Sequence, residues 1–580
     1  MASNGDTKRI FVVNGSQVRG IGSFHKTLHH NKYGEVRPQD FDLLVAATEG
    51  DGSGFAQVPR GTSNAAAFTN PQAGLANDCL TRHPAAYSMP PAPTVLSLSI
   101  AAEMTELYWM ALLRDVSFDA FAGDPRVSQA AQEIDQHFQQ GVGDTGDAGH
   151  LVPGVDVPGR AGTMAGITPQ NLFRLGLPGE EVGPMVSQFF VREAHYGTQR
   201  IDQMQRPYKK DRDYLTDFPS WMHAQNSGRD MNGQAYPKAN EDSAANFEQL
   251  PRYISTPRDL ARFVNKDALH QAYFNATLLL LSGGALWDLG NPYRDGTGDG
   301  IVGRLGMREA GFGVLGGPHV LALVSEVATR ALKVVWNQKW QVNLRLRPEA
   351  YGGLAHVQAI GIGGPDPTRA YGLPSWVTAT AAAQAVQNKH GTLLLPMAFT
   401  PGSPTHPAYG AGHATVAGCC VTVLKAFFKT FDPTTNTAVK FSTLTERDEP
   451  YGAGSPIKAY VTGVTQDANG NDVGVRTELS AEEADELTIE GELNKLASNV
   501  AMGRSIGGVH WRTDNARSLV LGEAIAAQIL ADVTVDSNAF PSFSFRTFAR
   551  RADGEPKQVK VEQGRIFVDG HLVNTTPSAL

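Results

Sequence analysis

The chain has 580 residues, 41% of them hydrophobic, which is enough to bury a large core. Its formal net charge of -8 gives no support for binding nucleic acid or an anionic membrane, so a local cluster of cations would have to hold any anionic ligand. Three cysteines, Cys79, Cys419 and Cys420, are too few for a disulfide framework. They are either reduced structural thiols or the source of one disulfide within or between chains.

The N-terminus is polar and shows no apolar signal-peptide segment. The most apolar stretch, 274–286, is shorter than the ~20 residues that a membrane helix needs. We therefore expect a soluble protein of the cytoplasm with no membrane partner.

Residues 1–93 are rich in Gly, Asn, Pro and Thr, which predicts an extended arm packed on the core or on a neighbouring subunit. Residues 94–580 are predicted to form one helical domain, because apolar residues recur there at helical spacing between loops of Gly, Pro, Asn and Asp. The first helix opens after Thr94. Further helices are predicted at 126–140, 184–196, 257–282, 318–343, 375–389, 411–431, 480–503 and 514–534.

The polar segment 432–479 is predicted to be an excursion between two helices, and 559–568 a small closing hairpin. The predicted fold class is therefore mainly α: helical bundles, with two cores resembling four-helix bundles, and a few short strands and small hairpins.

Three stretches carry candidate chemistry: Lys339 to Arg347, His406 to His413, and Arg504 to Asp514. Each alone is weak, because a cation at a helix end is usually solvated and a histidine in a glycine-rich loop is more often structural. Together they supply forked guanidinium donors, a lysine point charge, two imidazoles and a glycine N–H at a helix start. A tetrahedral oxyanion requires such groups.

These motifs, in this order, resemble the vanadium haloperoxidase and type 2 phosphatidic acid phosphatase superfamily. Its pattern is Lys…Arg-Pro, then Pro-Ser-Gly-His, then Ser-Arg-x5-His-x3-Asp. Two sequence segments are similar to bromoperoxidases of red algae and cyanobacteria: Lys339-Trp-Gln through Arg347-Pro-Glu-Ala-Tyr-Gly-Gly, and Pro404-Thr-His-Pro-Ala-Tyr. The seven residues between Lys339 and Arg347, and His406 itself, also favour this branch over phosphatases and fungal chloroperoxidases.

The resemblance implies a vanadate-dependent bromoperoxidase, which uses hydrogen peroxide to oxidise bromide or iodide to hypohalous acid that halogenates an organic acceptor. It places the active site in 339–514, with vanadium bound axially by His510 and Asp514 behind that ring. It implies that the vanadate oxygens are held by Lys339, Arg347, Gly412 and Arg504.

Among the remaining groups, His413 would take a proton from peroxide and Lys339 would polarise the bound O–O unit. His406 would tune halide choice or peroxide acidity, or would only support His413. The resemblance also implies a homo-oligomer, with a dodecamer as one form.

A structural calcium is a further expectation from the related algal enzymes. Asp295 and Asp299 have the acidic spacing that begins a calcium loop, but Gly306 stands where an EF-hand has its bidentate glutamate. An ordinary polar turn is the alternative.

The chain departs from the family pattern at two places: Gly410-Ala411 replace Pro-Ser, and Gly503 replaces the serine before Arg504. The family serine donates its hydroxyl to a vanadate oxygen, which Ala411 cannot do. The loss of one charge-assisted hydrogen bond weakens anion binding by ~1.5–3 kcal/mol unless another group substitutes.

Two rival functions remain open from the sequence. The same cradle accepts phosphate, so a phosphate-ester hydrolase could use His510 as its nucleophile. A non-catalytic oxyanion-binding protein would explain Ala411 but would leave His413 without a purpose.

Overall fold

The structure, a computed structural model, describes residues 5–13, 16–76, 82–294, 309–364, 366–446 and 455–573. Its α-helices, numbered α1 to α14 in chain order, are Gly5–Lys8, Pro38–Glu49, Leu98–Leu112, Pro125–Gly143, Phe218–Ser227, Pro257–Lys266, Gln271–Ser282, Gly317–Asn337, Pro348–Ala359, Ala381–His390, Gly412–Phe427, Ala481–Glu486, Ile489–Ile506 and Arg512–Asp536. A π-helical turn, Gln338–Asn343, continues α8.

The strands, β1 to β16, form short antiparallel hairpins and one four-stranded sheet near the C-terminus. They are Ile10–Val13, Ser16–Arg19, Gly159–Arg160, Thr163–Met164, Ala194–Tyr196, Gln199–Ile201, Phe431–Asp432, Thr437–Ala438, Thr445–Glu446, Ser455–Pro456, Tyr460–Gln466, Asp472–Glu478, Ser542–Arg550, Pro556–Glu562, Arg565–Val568 and His571–Leu572. The predicted mainly helical fold with small hairpins is confirmed.

Helix α11 lies at the centre of the main bundle and packs against α8, α13 and α14. Every residue of α11 except His413 is buried, as expected for a helix that is apolar all round. Cys419 and Cys420 are free thiols inside this helix, and Cys79 lies outside the described residues. His413 is therefore the only α11 side chain that can reach a solvent-filled cavity.

Two glycines let α11 and α14 cross closely. A Cβ on Gly418 would lie 2.2 Å from the carbonyl oxygen of Leu519, and one on Gly522 would lie 2.1 Å from that of Thr415. Only a residue without a side chain allows this approach. Helix α14 is long and apolar enough to span a membrane, but 72% of its apolar window is buried inside the fold, as in a core helix.

Aromatic residues of the first 93 residues, the segment for which an arm is predicted, pack on the π-helical turn. Phe24, Phe55 and Phe68 contact Trp340 edge to face, with ring centroids 5.5–5.6 Å apart. Trp340 is fully buried beneath them and follows Lys339 directly. The arm thus covers the end of α8 from which the first motif continues.

Four sequence predictions of helices are corrected. Residues 184–196 form a loop and the strand Ala194–Tyr196 instead of a helix, because side chains of α13 accept two of their backbone N–H groups. Asn499 accepts the Ser187 N–H and Glu492 the Gln188 N–H.

The predicted helix 257–282 is two helices, α6 and α7, which are separated at Asp267–His270. The predicted helix 480–503 is two helices, α12 and α13, which are separated at Leu487 and Thr488. The predicted helix 375–389 is the 3-10 turn Ser375–Thr378 followed by α10.

Candidate active site

The Lys339 ammonium lies in the π-helical turn after α8, a local geometry that recurs at functional sites. It is fully buried and donates to the carbonyl oxygens of Pro407 (2.9 Å) and Ala408 (3.1 Å). Burial and the nearby Arg347 charge hold the pKa of Lys339 well below its usual value. The first and second motifs are thereby joined directly.

The Arg347 guanidinium joins the second and third motifs. It directly precedes α9 and donates to the carbonyl oxygens of His406 (2.9 Å) and Val509 (2.6 Å). It also donates to His406 Nδ1 at 2.8 Å and to His510 Nε2 at 3.0 Å. Burial, with the Arg504 charge, lowers the pKa of Arg347 to about 9.

The Arg504 guanidinium comes from the last turn of α13. Its Nη1 donates to the carbonyl oxygen of Val264 (2.7 Å) and to the hydroxyl of Tyr236 (2.5 Å). Its Nε is buried and has no hydrogen-bond partner within the described part of the chain. A buried, unsatisfied donor on a cation is costly unless a ligand completes it.

Lys339, Arg347 and Arg504 form one cluster of buried positive charge. None of the three forms an ion pair with a carboxylate within the described residues. Besides burial, their charges lower the pKa values of Lys339, Arg347 and the neighbouring His510. Asp514 is the nearby carboxylate, but its oxygens bind Arg345 and His510. A bound anion would offset the repulsion within such a cluster.

The His510 ring is oriented by Asp514. Its Nδ1 donates to Asp514 Oδ2 at 2.9 Å, while Arg345 Nη1 donates to Asp514 Oδ1 at 2.7 Å. Burial and Arg347 hold the pKa of His510 well below its usual value, so the ring is neutral. Its Nε2 lone pair therefore points to the cation cluster, where it can bind a metal centre.

The His413 ring, in the first turn of α11, donates from Nε2 to Asp267 Oδ1 at 3.0 Å. About a fifth of the His413 side chain (19%) stays exposed, and the Nδ1 atom is left to accept a proton. Gly412 begins α11 without a side-chain cap from Ala411, so the free N–H groups of this helix start are available to an anion.

The His406 ring lies between Arg347 and Trp336. Its Nδ1 accepts from Arg347, and its centroid is 5.0 Å from that of Trp336. Burial, followed by the Lys339 and Arg347 charges, holds the pKa of His406 well below its usual value. It is a neutral imidazole at the edge of the cation cluster.

A cavity of about 610 Å³ opens above these groups. Its lining includes His406, Gly412, His413, Arg504 and His510. Lys339 and Arg347 are buried and contact the lining loop at Pro407 and His406. The cavity walls are mostly apolar and come from Trp336 and Leu332 of α8, Leu269, and arm residues between Ala66 and Ala73. The three motifs thus meet at one site, partly walled by the arm.

Sequence reasoning missed Asp267 and Tyr236, which lie 146 and 268 residues from their partners His413 and Arg504. No motif spacing marks either of them. The break in the helical pattern after Lys266 is a local signal that could have drawn attention to Asp267. The calcium candidates Asp295 and Asp299 lie outside the described residues.

The helical bundle that holds this site matches a known family model. The family model described as the VCPO second helical-bundle domain matches residues 319–535, which hold all three motifs.

Known relatives agree over nearly the whole chain. Vanadium-dependent bromoperoxidases of Corallina pilulifera and Corallina officinalis are each 32% identical over 90% of this chain and 89% of their own. That of Ascophyllum nodosum is 31% identical over 97% and 91%. The solved homohexameric second vanadate-dependent bromoperoxidase of Ascophyllum nodosum superimposes with a TM-score of 0.74 at 26% identity, covering 100% of this chain and 89% of the other. The chain belongs to the vanadium-dependent bromoperoxidases.

The residues at the site fit the vanadate that the family uses. Vanadate is a tetrahedral oxyanion, and the cluster offers an unpartnered Arg504 Nε, a lysine and a second guanidinium. The neutral His510 Nε2 supplies a ligand atom beside them. The donor set therefore suits both the charge and the metal centre of the group.

Proposed function

We propose that this chain oxidises bromide, and iodide, with hydrogen peroxide to hypohalous acid, which halogenates an organic acceptor. The observation that carries the proposal is the buried cluster of three cations beside the neutral, Asp514-bound His510. When bound there, vanadate would act as a Lewis acid that activates peroxide without changing its oxidation state.

The proposed holding residues are Lys339, Arg347, Gly412, Arg504 and His510. His510 would bind vanadium through Nε2, because Nδ1 is committed to Asp514. Arg347 now donates to that same Nε2, so its Nη1 would turn to a vanadate oxygen. The cations would neutralise the oxygens, and the α11 helix start would add backbone N–H donors.

His413 is the proposed base. Asp267 accepts the proton of its Nε2, so Nδ1 can take a proton from incoming peroxide and return it to the product. Lys339 would polarise the peroxide oxygens, and His406, bound to Arg347, would tune halide choice through the donor strength of that guanidinium.

The test is bromination of a phenolic dye by purified protein with peroxide and bromide, in vanadate-loaded and chelator-treated samples. His510→Ala should lose activity by more than the 10- to 100-fold that is usual for residues behind a metal ligand. The matched control is His390→Ala, at the end of α10 and outside the cavity, which should retain activity. Vanadate-loaded wild type without bromination would refute the proposal and make phosphate-ester hydrolysis the next assay.

We also propose a homo-oligomer, since the solved neighbour is homohexameric. A dodecamer is the larger form that the sequence resemblance suggests. We propose an arm of residues 1–93 beside a helical domain of 94–580, and a cytoplasmic location. Residues between Ala66 and Ala73 line the cavity, which supports the proposed arm. Light scattering on the full chain would give the subunit number.

A further inference from the structure

Ala411 leaves the cavity without the hydroxyl that the family pattern has at this position. The Ala411 N–H donates to Ser518 Oγ at 2.8 Å, and a Cβ on Gly410 would lie 2.6 Å from that oxygen. Ser518 of α14 thus occupies the space behind the Gly410-Ala411 turn. A larger residue at position 410 would displace it, so Gly410 and Ala411, which replace the Pro-Ser of the family pattern, belong together.

Tyr236 brings another hydroxyl to the same cavity from a distant part of the chain. It begins the short 3-10 turn Tyr236–Lys238 and lines the cavity beside Gly412, Arg504 and His510. Its oxygen accepts from Arg504 Nη1 at 2.5 Å. The phenol oxygen therefore lies among the groups that would surround the anion.

The Tyr236 hydroxyl still has a proton to donate. A phenol that accepts through its oxygen keeps its own O–H as a donor, and no described residue accepts that proton. The ring is fixed by an edge-to-face contact with Phe399, at 5.6 Å between centroids, and by the Arg504 guanidinium 5.4 Å from its centre. A donor held in place in this way loses little entropy when a ligand arrives.

We propose that the Tyr236 O–H donates a hydrogen bond to one oxygen of the bound oxyanion. It would replace the serine hydroxyl that Ala411 lacks. The proposal rests on the proposed function for the identity of the anion, but the donor would serve phosphate as well. Tyr236 is an anion-binding residue in this proposal, because its O–H contacts the anion directly while Arg504 fixes its oxygen.

The experiment measures the affinity of the full chain for vanadate and, separately, for inorganic phosphate by titration calorimetry without peroxide or bromide. Tyr236→Phe keeps the ring and its packing but removes the donor. We expect it to bind both anions about 10- to 100-fold more weakly, the usual effect of losing one hydrogen bond to a charged group. Tyr214→Phe is the matched control, since its hydroxyl donates to Asn246 outside the cavity, and its affinity should equal that of wild type.

The second arm tests replacement of the serine. Ala411→Ser introduced into Tyr236→Phe should recover at least part of the lost affinity, which a purely structural role for Tyr236 would not allow. Unchanged affinity in Tyr236→Phe, an equal loss in Tyr214→Phe, or no recovery in the double variant would each overturn the proposal. Wild type that binds vanadate without brominating would refute the proposed function alone and leave this comparison of affinities intact.

Discussion

At the level of single residues, the site depends on a chain of buried charge behind His510. Asp514 binds His510, and the same carboxylate binds Arg345, whose other nitrogen donates to Glu103 at 3.0 Å. Asp514 Oδ2 also accepts the Trp511 N–H at 3.0 Å. Position, tautomer and basicity of the imidazole are therefore set by one side chain.

Asp514→Asn tests that dependence. An amide keeps the shape of the side chain but binds Arg345 more weakly and can present an N–H to His510, which would favour the wrong tautomer. We expect vanadate affinity to fall about 10- to 100-fold. Titration calorimetry would measure it, with Asp536→Asn, exposed at the other end of α14, as the control. Equal affinities in the two variants would show that Asp514 does not orient the ligand.

The sequence predicted which stretches would come together, because each motif marks a helix end, and in the structure the three ends meet. Arg345 and Tyr236 could not be predicted in the same way. Arg345 lies inside the first motif, but nothing local shows that it binds Glu103 rather than solvent. Tyr236 reaches the cavity only through the path of an irregular loop.

At the level of elements, tertiary contacts decided where the sequence pattern failed. The apolar residues between 184 and 196 are spaced as in a helix, and several are buried. The backbone N–H groups of Ser187 and Gln188 nevertheless bind side chains of α13, so this tertiary contact overrides the helical pattern. The break between α6 and α7 releases Asp267 from a helix and lets it face His413.

The arm is tied to the active-site loop by a buried ion pair. Lys26 Nζ donates to Glu349 Oε1 at 2.6 Å and to the carbonyl oxygens of Pro401 and Ser403, both at 2.8 Å. Glu349 Oε2 accepts the Ser403 N–H at 2.7 Å. Glu349 lies two residues after Arg347, so this contact ties the arm to α9 and to the loop that leads to His406.

Lys26→Met should destabilise the protein by about 3–5 kcal/mol, because it removes one partner of a buried pair and leaves the Glu349 carboxylate without a cation. Urea unfolding followed by circular dichroism would measure the free energy of unfolding. Lys32→Met, on the exposed part of the same arm, should change it by less than about 0.5 kcal/mol. A similar small effect in both variants would mean that the arm is not anchored by Lys26.

At the level of the whole molecule, buried histidines and a buried aspartate change the folding stability in opposite directions as the pH falls. His25 and His30 are buried together in the arm, with 2.8 Å between His25 Nδ1 and His30 Nε2. Burial lowers the pKa of His25 to about 4 and, with the His25 ring beside it, that of His30 to about 3. Burial raises the pKa of Asp288, in the loop before α8, to about 7.

The two kinds shift stability in opposite directions. The unfolded chain binds a proton at each histidine below pH 6.5 and the folded chain does not, so the histidine contribution to stability is lost as the pH falls through 6.5. Asp288 is protonated in the fold below about pH 7 but in the unfolded chain only near 3.8, so its contribution grows as the pH falls.

Single variants separate these contributions when the free energy of unfolding is compared at pH 7.5 and pH 5.0. His30→Gln cannot titrate, so the variant should gain about 2 kcal/mol relative to wild type between the two pH values, from 1.5 units of pH below 6.5. Asp288→Asn should lose about 2–3 kcal/mol relative to wild type over the same range. Shifts of the same sign in His30→Gln and Asp288→Asn would contradict this account, because burial opposes charge on both groups and only the sign of that charge differs.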